Sequence, residues 1–441
     1  MSNIKNQKVT LNQITNPRRF FLELLDKAQK NNSFSNLLLD AALEDCALSP
    51  ADKGLACTLF YGVIEKKITL DYQISLLSSR PIGEIDRTTL NALRMGLYQI
   101  IFLDKIPPHA AIYESVELCP QKSAGFANAV LRSFTRGEGV KYPDESDTVL
   151  YTSVRYSVCP ELAEKLLDVF GTEKAHSILA AFDEIPQTTV RINTLKIHRD
   201  KWLAKAKDAE PSALIGSAAK VRGAIRSVYG FDKGYFFVQD EASQLCVSAL
   251  SAKEGETVMD ICSCPGSKSF GAAISMNNNG KIYAFDLHTK KLSLVKSGAE
   301  RLGIDIIDVA ECDGRNFLPE FEERADRVLC DVPCSGFGVI AKKPELRYKD
   351  PAESAQLPKI QYDILSNASR YVRHGGVLVY STCTILPEEN ELNVKKFLAE
   401  HPDFSLAPMK AGKLRCEKGY ITLLPDKHGT DGFFIAKLKR N

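Results

Sequence analysis

Beyond about residue 255 the chain alternates short apolar runs with longer stretches of helical period, and no other feature limits its fold as much. The runs Thr257–Ile261, Lys281–Phe285, Ile306–Glu311, Arg327–Cys330 and Val377–Tyr380 have strand length. Thr289–Leu302 and Lys359–Val372 fit helices between them. Alternation of this kind predicts a doubly wound α/β sheet, mostly parallel, with helices on its faces. A late run, Gly432–Leu438, predicts one more strand, antiparallel and closing the sheet. In such sheets chemistry collects at the carboxyl ends of the strands.

Two cysteines stand at such ends. Cys334 lies in Asp331-Val332-Pro333-Cys334-Ser335-Gly336-Phe337-Gly338, directly after Val328-Leu329-Cys330. Cys383 lies in Tyr380-Ser381-Thr382-Cys383-Thr384, at the end of Val377–Tyr380. Although 49 residues separate them, both thiols are expected to reach one cleft, with Asp331 beside them. Two thiols and a carboxylate suit covalent chemistry on an electron-poor ring.

The other side of that cleft reads as a nucleoside site. Cys262, Ser263, Cys264, Pro265, Gly266, Ser267 and Lys268 follow the first strand at a strand-to-helix turn. Small residues there let backbone N–H groups approach a ligand at a helix N-terminus. Asp286 ends the second strand and is placed for ribose hydroxyls, and Asp313 follows the third, placed for an adenine amino group. Each aspartate alone is more often a cap or turn residue. Together, without a phosphate-gripping glycine loop, they predict an adenosyl ligand that lacks phosphates, such as S-adenosylmethionine.

The first 140 residues carry helical stripes: Phe20, Phe21, Leu24, Leu25 and Ala28; then Leu55, Leu59, Val63 and Ile64; then Leu90, Leu93, Leu97, Ile100 and Ile101. Asn16 is expected to cap the first of these helices, with Pro17 at its first position. Residues 1–30 hold Lys5, Lys8, Arg18, Arg19, Lys27 and Lys30 against Glu23 and Asp26, either a solvated face or a phosphate-contacting one. Turn residues from Gly137 to Asp144 predict a linker. Between 150 and 240 a helix from Cys159-Pro160 to Phe170 and the alternating stretch Thr188–Thr194 predict a small mixed α/β module. A net charge of +2 gives no global argument for nucleic acid, so RNA would be held by local basic patches. Twelve cysteines without paired CxxC spacing argue against a structural metal. No leader-like or long apolar segment is seen, which makes a cytoplasmic protein with reduced thiols the expectation.

At the motif level residues 235–440 resemble the RNA 5-methylcytosine methyltransferases. The resemblance rests on Gln239-Asp240-Glu241-Ala242-Ser243, Pro265-Gly266-Ser267-Lys268, Asp286, Asp313-Gly314, the two cysteine motifs, Pro387-Glu388-Glu389-Asn390-Glu391 and Asp431-Gly432-Phe433-Phe434. The N-terminal part, notably Gly125-Phe126-Ala127-Asn128-Ala129-Val130-Leu131-Arg132, resembles a NusB-like RNA-binding domain. The pairing, with Val190–Lys196 between, is similar to the small-subunit ribosomal RNA methyltransferase B (Sun) subfamily. It implies three domains: a NusB-like helical domain over 1–140, an RNA-binding or linker module over 150–240, and a Rossmann-like methyltransferase over 241–441. It also implies small-subunit ribosomal RNA as partner, with no membrane, no DNA and no demand for more than a monomer.

By the same resemblance Cys383 is the nucleophile that adds to carbon 6 of cytosine. Cys334 then assists release, and Asp331 hydrogen-bonds the ring nitrogen or exocyclic amine. Residues 262–268 with Asp286, Asp313 and Asp331 would hold S-adenosylmethionine. Lys268 orients Asp331 or the substrate, or is a plain helix-surface lysine. Arg347 and Tyr348 are expected to stack on or grip the RNA strand. The chain departs from the family where Ser263 and Cys264 replace two alanines, Ser267 a glycine and Ser269 a threonine. Those changes motivate one alternative, an RNA-binding assembly factor with a decayed methyl-transfer site. Another makes Cys334 the nucleophile, as the Pro-Cys motif is in DNA cytosine methyltransferases.

Overall fold

Asn16 begins the first helix as its sequence predicts: its side-chain oxygen accepts the backbone N–H of Arg18 at 2.9 Å and of Arg19 at 3.1 Å. The computed structural model describes residues 11–30, 36–44 and 46–441. Contacts divide them into two units, one running to His176 and including Lys343–Asp350, the other comprising Ser177–Lys342 and Pro351–Asn441.

The first unit is helical. Its helices are α1 (Pro17–Lys30), α2 (Asn36–Glu44), α3 (Pro50–Glu65), α4 (Lys67–Leu77), α5 (Arg87–Phe102), α6 (Pro108–Glu117), α7 (Gln121–Arg136), α8 (Thr148–Tyr156) and α9 (Pro160–Phe170). The apolar stripes meet inside it: Phe20, Phe21, Leu24, Leu59, Leu93 and Leu97 are all fully buried. Of the basic residues near the start, Lys5 and Lys8 lie outside the described residues, and Arg18 Nε is tied to Gln99 Oε1 at 2.7 Å.

One expectation fails here. Arg347 and Tyr348 sit in a short 3-10 turn, Pro344–Tyr348, that belongs to this helical unit. The Arg347 side chain is 0% exposed, and its Nη1 donates to Tyr156 O at 2.7 Å. The Tyr348 hydroxyl donates to Ile64 O and accepts the Lys67 N–H at 3.2 Å. A guanidinium without an exposed face cannot stack on a base, so the pair anchors a turn rather than gripping RNA.

The second unit begins within α10 (Thr172–Ala181) and holds a small sheet and a large one. The small sheet has strands β1 (Thr188–Ile192), β2 (Ala209–Pro211), β3 (Ala218–Val221) and β4 (Phe236–Val238), ordered β2-β3-β1-β4 and antiparallel. A short helix, α11 (Arg199–Leu203), buries Trp202 against it. Buried Arg191 on β1 donates through Nη2 to Gly271 O and Ser275 Oγ, both at 3.1 Å.

Next come α12 (Glu241–Leu250), β5 (Thr257–Asp260), α13 (Ser267–Ser275), β6 (Lys281–Asp286), α14 (Thr289–Leu302), β7 (Ile307–Glu311), β8 (Ala325–Asp331), α15 (Leu357–Ser369), β9 (Val372–Thr382) and α16 (Glu391–Glu400). The rest is β10 (Phe404–Leu406), a hairpin of β11 (Met409–Ala411) and β12 (Leu414–Cys416), β13 (Tyr420–Leu423), a turn of helix α17 (Pro425–His428) and β14 (Phe433–Arg440). Strands β9-β8-β5-β6-β7 run parallel, in that order. β14 joins β9 antiparallel, as its sequence position predicts. It does not close the sheet, because β10 and β13 pair with successive parts of its outer edge. Apolar layers cover both faces of the sheet, one around Leu245, Val258, Val379 and Ile435, the other around Met259, Val328, Leu378 and Phe434.

Candidate active site

Strands β8 and β9 are parallel neighbours, with Asp331 opposite Ser381. The last ladder bond runs from Val332 N–H to Ser381 O at 3.1 Å. Past it both chains turn, and the two thiols meet: Cys334 Sγ lies 3.1 Å from Cys383 Sγ, and Cys383 N–H donates to Cys334 Sγ at 3.2 Å. The contact with Cys383, together with burial, holds the Cys334 thiol well above its usual range. The other thiols of this region pack into apolar layers. Burial pushes Cys246 up to about 12 and raises Cys262 and Cys330 as well, which leaves them unreactive.

Buried Glu389 fixes the Cys334 loop. Its Oε2 accepts Ser335 N–H at 2.9 Å and Gln361 Nε2 at 2.7 Å, and the same Gln361 nitrogen donates to Pro333 O at 2.9 Å. Asn390 holds the Cys383 loop, donating to Thr384 O at 3.0 Å and accepting the Thr382 hydroxyl at 2.5 Å. The loops are tied together where Gly338 N–H donates to Cys383 O at 2.9 Å and Gly432 N–H to Gly338 O at 2.7 Å. A Cβ on Gly338 would stand 1.9 Å from Gly432 O, so the approach demands glycine. At the far end of the Cys334 loop, Lys342 Nζ lies 2.6 Å from Asp240 Oδ2 and 2.7 Å from Asp431 Oδ2. Burial and the neighbouring Asp240 push the Asp431 carboxyl up to about 7.

Beside the thiols, Asp331 accepts two hydrogen bonds. Lys268 Nζ stands 2.7 Å from Oδ2, and Ser381 Oγ donates to Oδ1 at 2.6 Å. Burial is the largest influence on Lys268 and opposes its charge, but Asp331, Cys246 and Asp260 together outweigh it and the ammonium is held above its ordinary range. Lys268 is thus a buried partner of Asp331 and not a surface lysine. Asp260, at the end of β5, is 1% exposed and pushed up to about 7 by burial. Its Oδ2 accepts the Ser269 hydroxyl at 2.5 Å, while among the described residues Oδ1 has no hydrogen-bond partner.

The turn after β5 contains a cis Cys264–Pro265 bond and Gly266 at φ +104°, where a Cβ would strike the Phe270 ring. Ser267 is not at positive φ, so the backbone accepts its side chain. Ser263 N–H donates to Phe285 O at 2.8 Å and Cys264 N–H to Asp286 Oδ2 at 3.1 Å, which locks the turn to the end of β6. The Cys262 side chain packs into an apolar layer, so only its backbone faces the turn. Asp286 Oδ1 accepts the His288 N–H at 3.1 Å. Asp313 is ion-paired with Arg315 at 2.6 Å, and that hydrogen bond holds its carboxyl below the usual range. The N-cap Gly266 contributes no side-chain bond to the first turn of α13, which leaves that turn open to an anionic group. This open turn, the unpartnered Asp260 oxygen and carboxylates at two successive strand ends fit the amino acid and nucleoside parts of S-adenosylmethionine.

Sequence reasoning quoted Asp240, Glu389, Asn390 and Asp431 within motifs but gave them no task. Ser381 likewise lies within the Cys383 motif without a task, and Gln361 and Lys342 lie in no motif. Asn390 takes partners eight and six residues away, Thr382 and Thr384, whereas the others take theirs from 28 to 102 residues away, which no local pattern carries.

The chain is similar to known proteins over nearly its whole length. The 16S rRNA methyltransferase RsmB/F family profile matches residues 247–439, and the NusB family profile matches residues 15–136. A probable ribosomal RNA small subunit methyltransferase B of Bacillus subtilis is 38% identical, over 97% of this chain and 99% of that protein. The ribosomal RNA small subunit methyltransferase B of an Escherichia coli strain is 32% identical over 93% and 95%. The crystal structure of PH0851 superposes with a TM-score of 0.77 at 26% identity, covering 99% of this chain and all of that one. The chain belongs to the 16S rRNA methyltransferase RsmB/F family and is an S-adenosylmethionine-dependent ribosomal RNA methyltransferase.

Proposed function

We propose that the methyl acceptor is carbon 5 of a cytosine in 16S ribosomal RNA, and that transfer passes through a covalent bond between Cys383 and the base. The observation that carries this reading is the 3.1 Å thiol pair beside Asp331, at the carboxyl ends of adjacent parallel strands. The cofactor, when bound, supplies an electrophilic methyl group on a sulfonium. Cys383, as thiolate, adds to carbon 6 of the ring and makes carbon 5 nucleophilic. Cys334 keeps its proton during this step, because its contact with Cys383 and its burial both disfavour the charged form. Asp331 already accepts from Lys268 and Ser381, and as an acceptor it suits the exocyclic amine of cytosine. Lys268 and Ser381 hold it in that orientation.

Once carbon 5 carries the methyl group, the Cys383 sulfur is a neutral thioether. The largest cause of the upward shift on Cys334 is then gone. Cys334 then gives its own proton to solvent and, as thiolate, takes the carbon 5 proton, and the electron pair left behind expels Cys383 as thiolate. The target base must leave its stack to reach this cleft. Residues 262–268 with Asp286, Asp313 and Asp331 form the cofactor side of the site. The test is transfer of labelled methyl from S-adenosylmethionine to unmodified 16S ribosomal RNA. Label recovered as 5-methylcytidine, and absent with Cys383→Ala, is the expected result. Label on another base or position would overturn the reading.

A further inference from the structure

The charge of this chain is unevenly placed. Residues 196–233 hold nine lysines and arginines against four aspartates and glutamates, a surplus of five, whereas the whole chain has a surplus of two. The remainder is therefore net acidic. These residues carry β2 and β3 of the small antiparallel sheet with their connections, and the structure gathers part of that charge around one groove of about 340 Å³. Lys205, Lys207 and Arg222 line it with Tyr229 and Ser227, and all three cations are exposed.

Packed side chains back the groove. Below it the buried Trp202 donates from Nε1 to Tyr229 O at 2.9 Å, and Trp202, Val221 and Phe236 share one apolar cluster. Lys205 Nζ sits 5.5 Å from the centre of the Tyr229 ring and 3.4 Å from its hydroxyl, so a cation and an aromatic face are presented together. Two carboxylates temper the field. Asp208 lines the groove, and Glu210 Oε1 lies 3.2 Å from Arg222 Nη2, an exposed pair of small energetic weight.

We propose that this groove holds the sugar-phosphate backbone of the substrate RNA, with Lys205, Lys207 and Arg222 on successive phosphates and Tyr229 offering its ring to an unstacked base. The inference rests on the reading of the chain as a ribosomal RNA methyltransferase, and it turns the small sheet into an RNA-gripping surface. Clustered cations with an interleaved aromatic are what single-stranded RNA recognition requires, since phosphates supply affinity and every base has a face to stack. An acidic polypeptide would match the charge but make no use of the ring.

The test compares the full-length protein with a Lys205→Gln, Lys207→Gln, Arg222→Gln variant. Binding of a single-stranded 16S ribosomal RNA segment is measured against salt, beside methyl transfer to 16S ribosomal RNA. Each phosphate contact to a single strand contributes about 0.7 to the slope of log affinity against log salt. The variant is expected to lose about 2 from that slope and to raise KM for RNA by roughly tenfold or more, with kcat and cofactor affinity unchanged. Tyr229→Ala, which removes the stacking face, should weaken binding while leaving the salt slope unchanged. Should the triple variant not fold, Lys207→Glu, at an exposed side chain, is expected to weaken binding in the same direction. Unchanged slope and KM overturn the proposal, and so does equal competition by poly-glutamate and poly-uridylate. If the wild type methylates no ribosomal RNA, the functional reading fails, yet the binding comparison still decides the groove.

Discussion

Cys334 Sγ stands 3.1 Å from Cys383 Sγ, so the two thiols share one hydrogen-bonding contact rather than serving separate sites. Removing either should therefore have opposite consequences for the covalent stage. Cys334→Ala is expected to form the bond to cytosine and fail to release it, so that an RNA-protein adduct survives denaturing electrophoresis. Cys383→Ala should form none. An adduct seen only when Cys334 is intact and Cys383 is replaced would reverse the two roles.

The Lys268–Asp331 pair leads to a second expectation. Lys268→Met removes the strongest of the two donors that orient Asp331, and should lower kcat/KM by about a hundredfold, in the range seen when one preorganised polar contact is lost. Ser381→Ala removes the other donor and should cost less, about tenfold. Steady-state kinetics on 16S ribosomal RNA decide it. Full activity in Lys268→Met would mean that Asp331 holds its place without the ammonium.

Gly338 faces Gly432 across a contact with no room for a side chain. Gly338→Ala must push the Cys334 loop off the Cys383 loop, and should destabilise the protein by roughly 1–3 kcal/mol, as overpacking commonly does. Activity should fall further than stability, because the thiol pair is displaced along with the loop. Thermal denaturation together with methyl transfer checks this. A variant with unchanged melting and unchanged rate would show that the loops do not need this approach.

Asp260 gives a pH-dependent expectation. Its carboxyl stands at about 7 in the folded protein and near 3.8 when exposed, with burial as the main cause. Between those values the unfolded chain loses a proton that the folded chain keeps. Stability contributed at low pH is therefore lost as pH rises, and the loss is complete above about 7. Asp260→Asn retains an acceptor for Ser269 and has no proton to lose. Relative to wild type it should gain stability between pH 4 and pH 7, on the order of a few kcal/mol. Melting curves at pH 5 and pH 8 measure the difference, and a constant difference across that interval would refute it.

Much of the fold was legible from residue order alone. Thr289–Leu302 is a helix with the bounds its period predicts, and the five parallel strands lie where the apolar runs do. Apolar spacing is a local property of the chain, and a buried strand or helix face leaves its signature there. The outer edge of β14 was not legible, because β10 and β13 are only three and four residues long and their pairing depends on what lies beside them. Arg347 and Tyr348 were misplaced for a related reason. An arginine beside a tyrosine reads as a surface pair unless one knows that Tyr156 and Ile64, nearly 200 and 300 residues earlier, supply the carbonyls that hold them.

Residue order alone placed Cys334 and Cys383 just after strands, Asp331 and Asp286 at strand ends, and Asp313 shortly after a strand. Strand-end position in a parallel sheet is set by local pattern and by the handed connections between strands. The packing of the folded chain is what brings the two thiols into contact, turns Lys268 inward to Asp331, and sets Glu389 and Lys342 to hold the loops in place. Those relationships are hydrogen bonds and ion pairs over distances near 3 Å between segments at least 49 residues apart in the chain. Their formation depends on the packing of whole layers, which brings such groups together and removes the water that would otherwise compete for them.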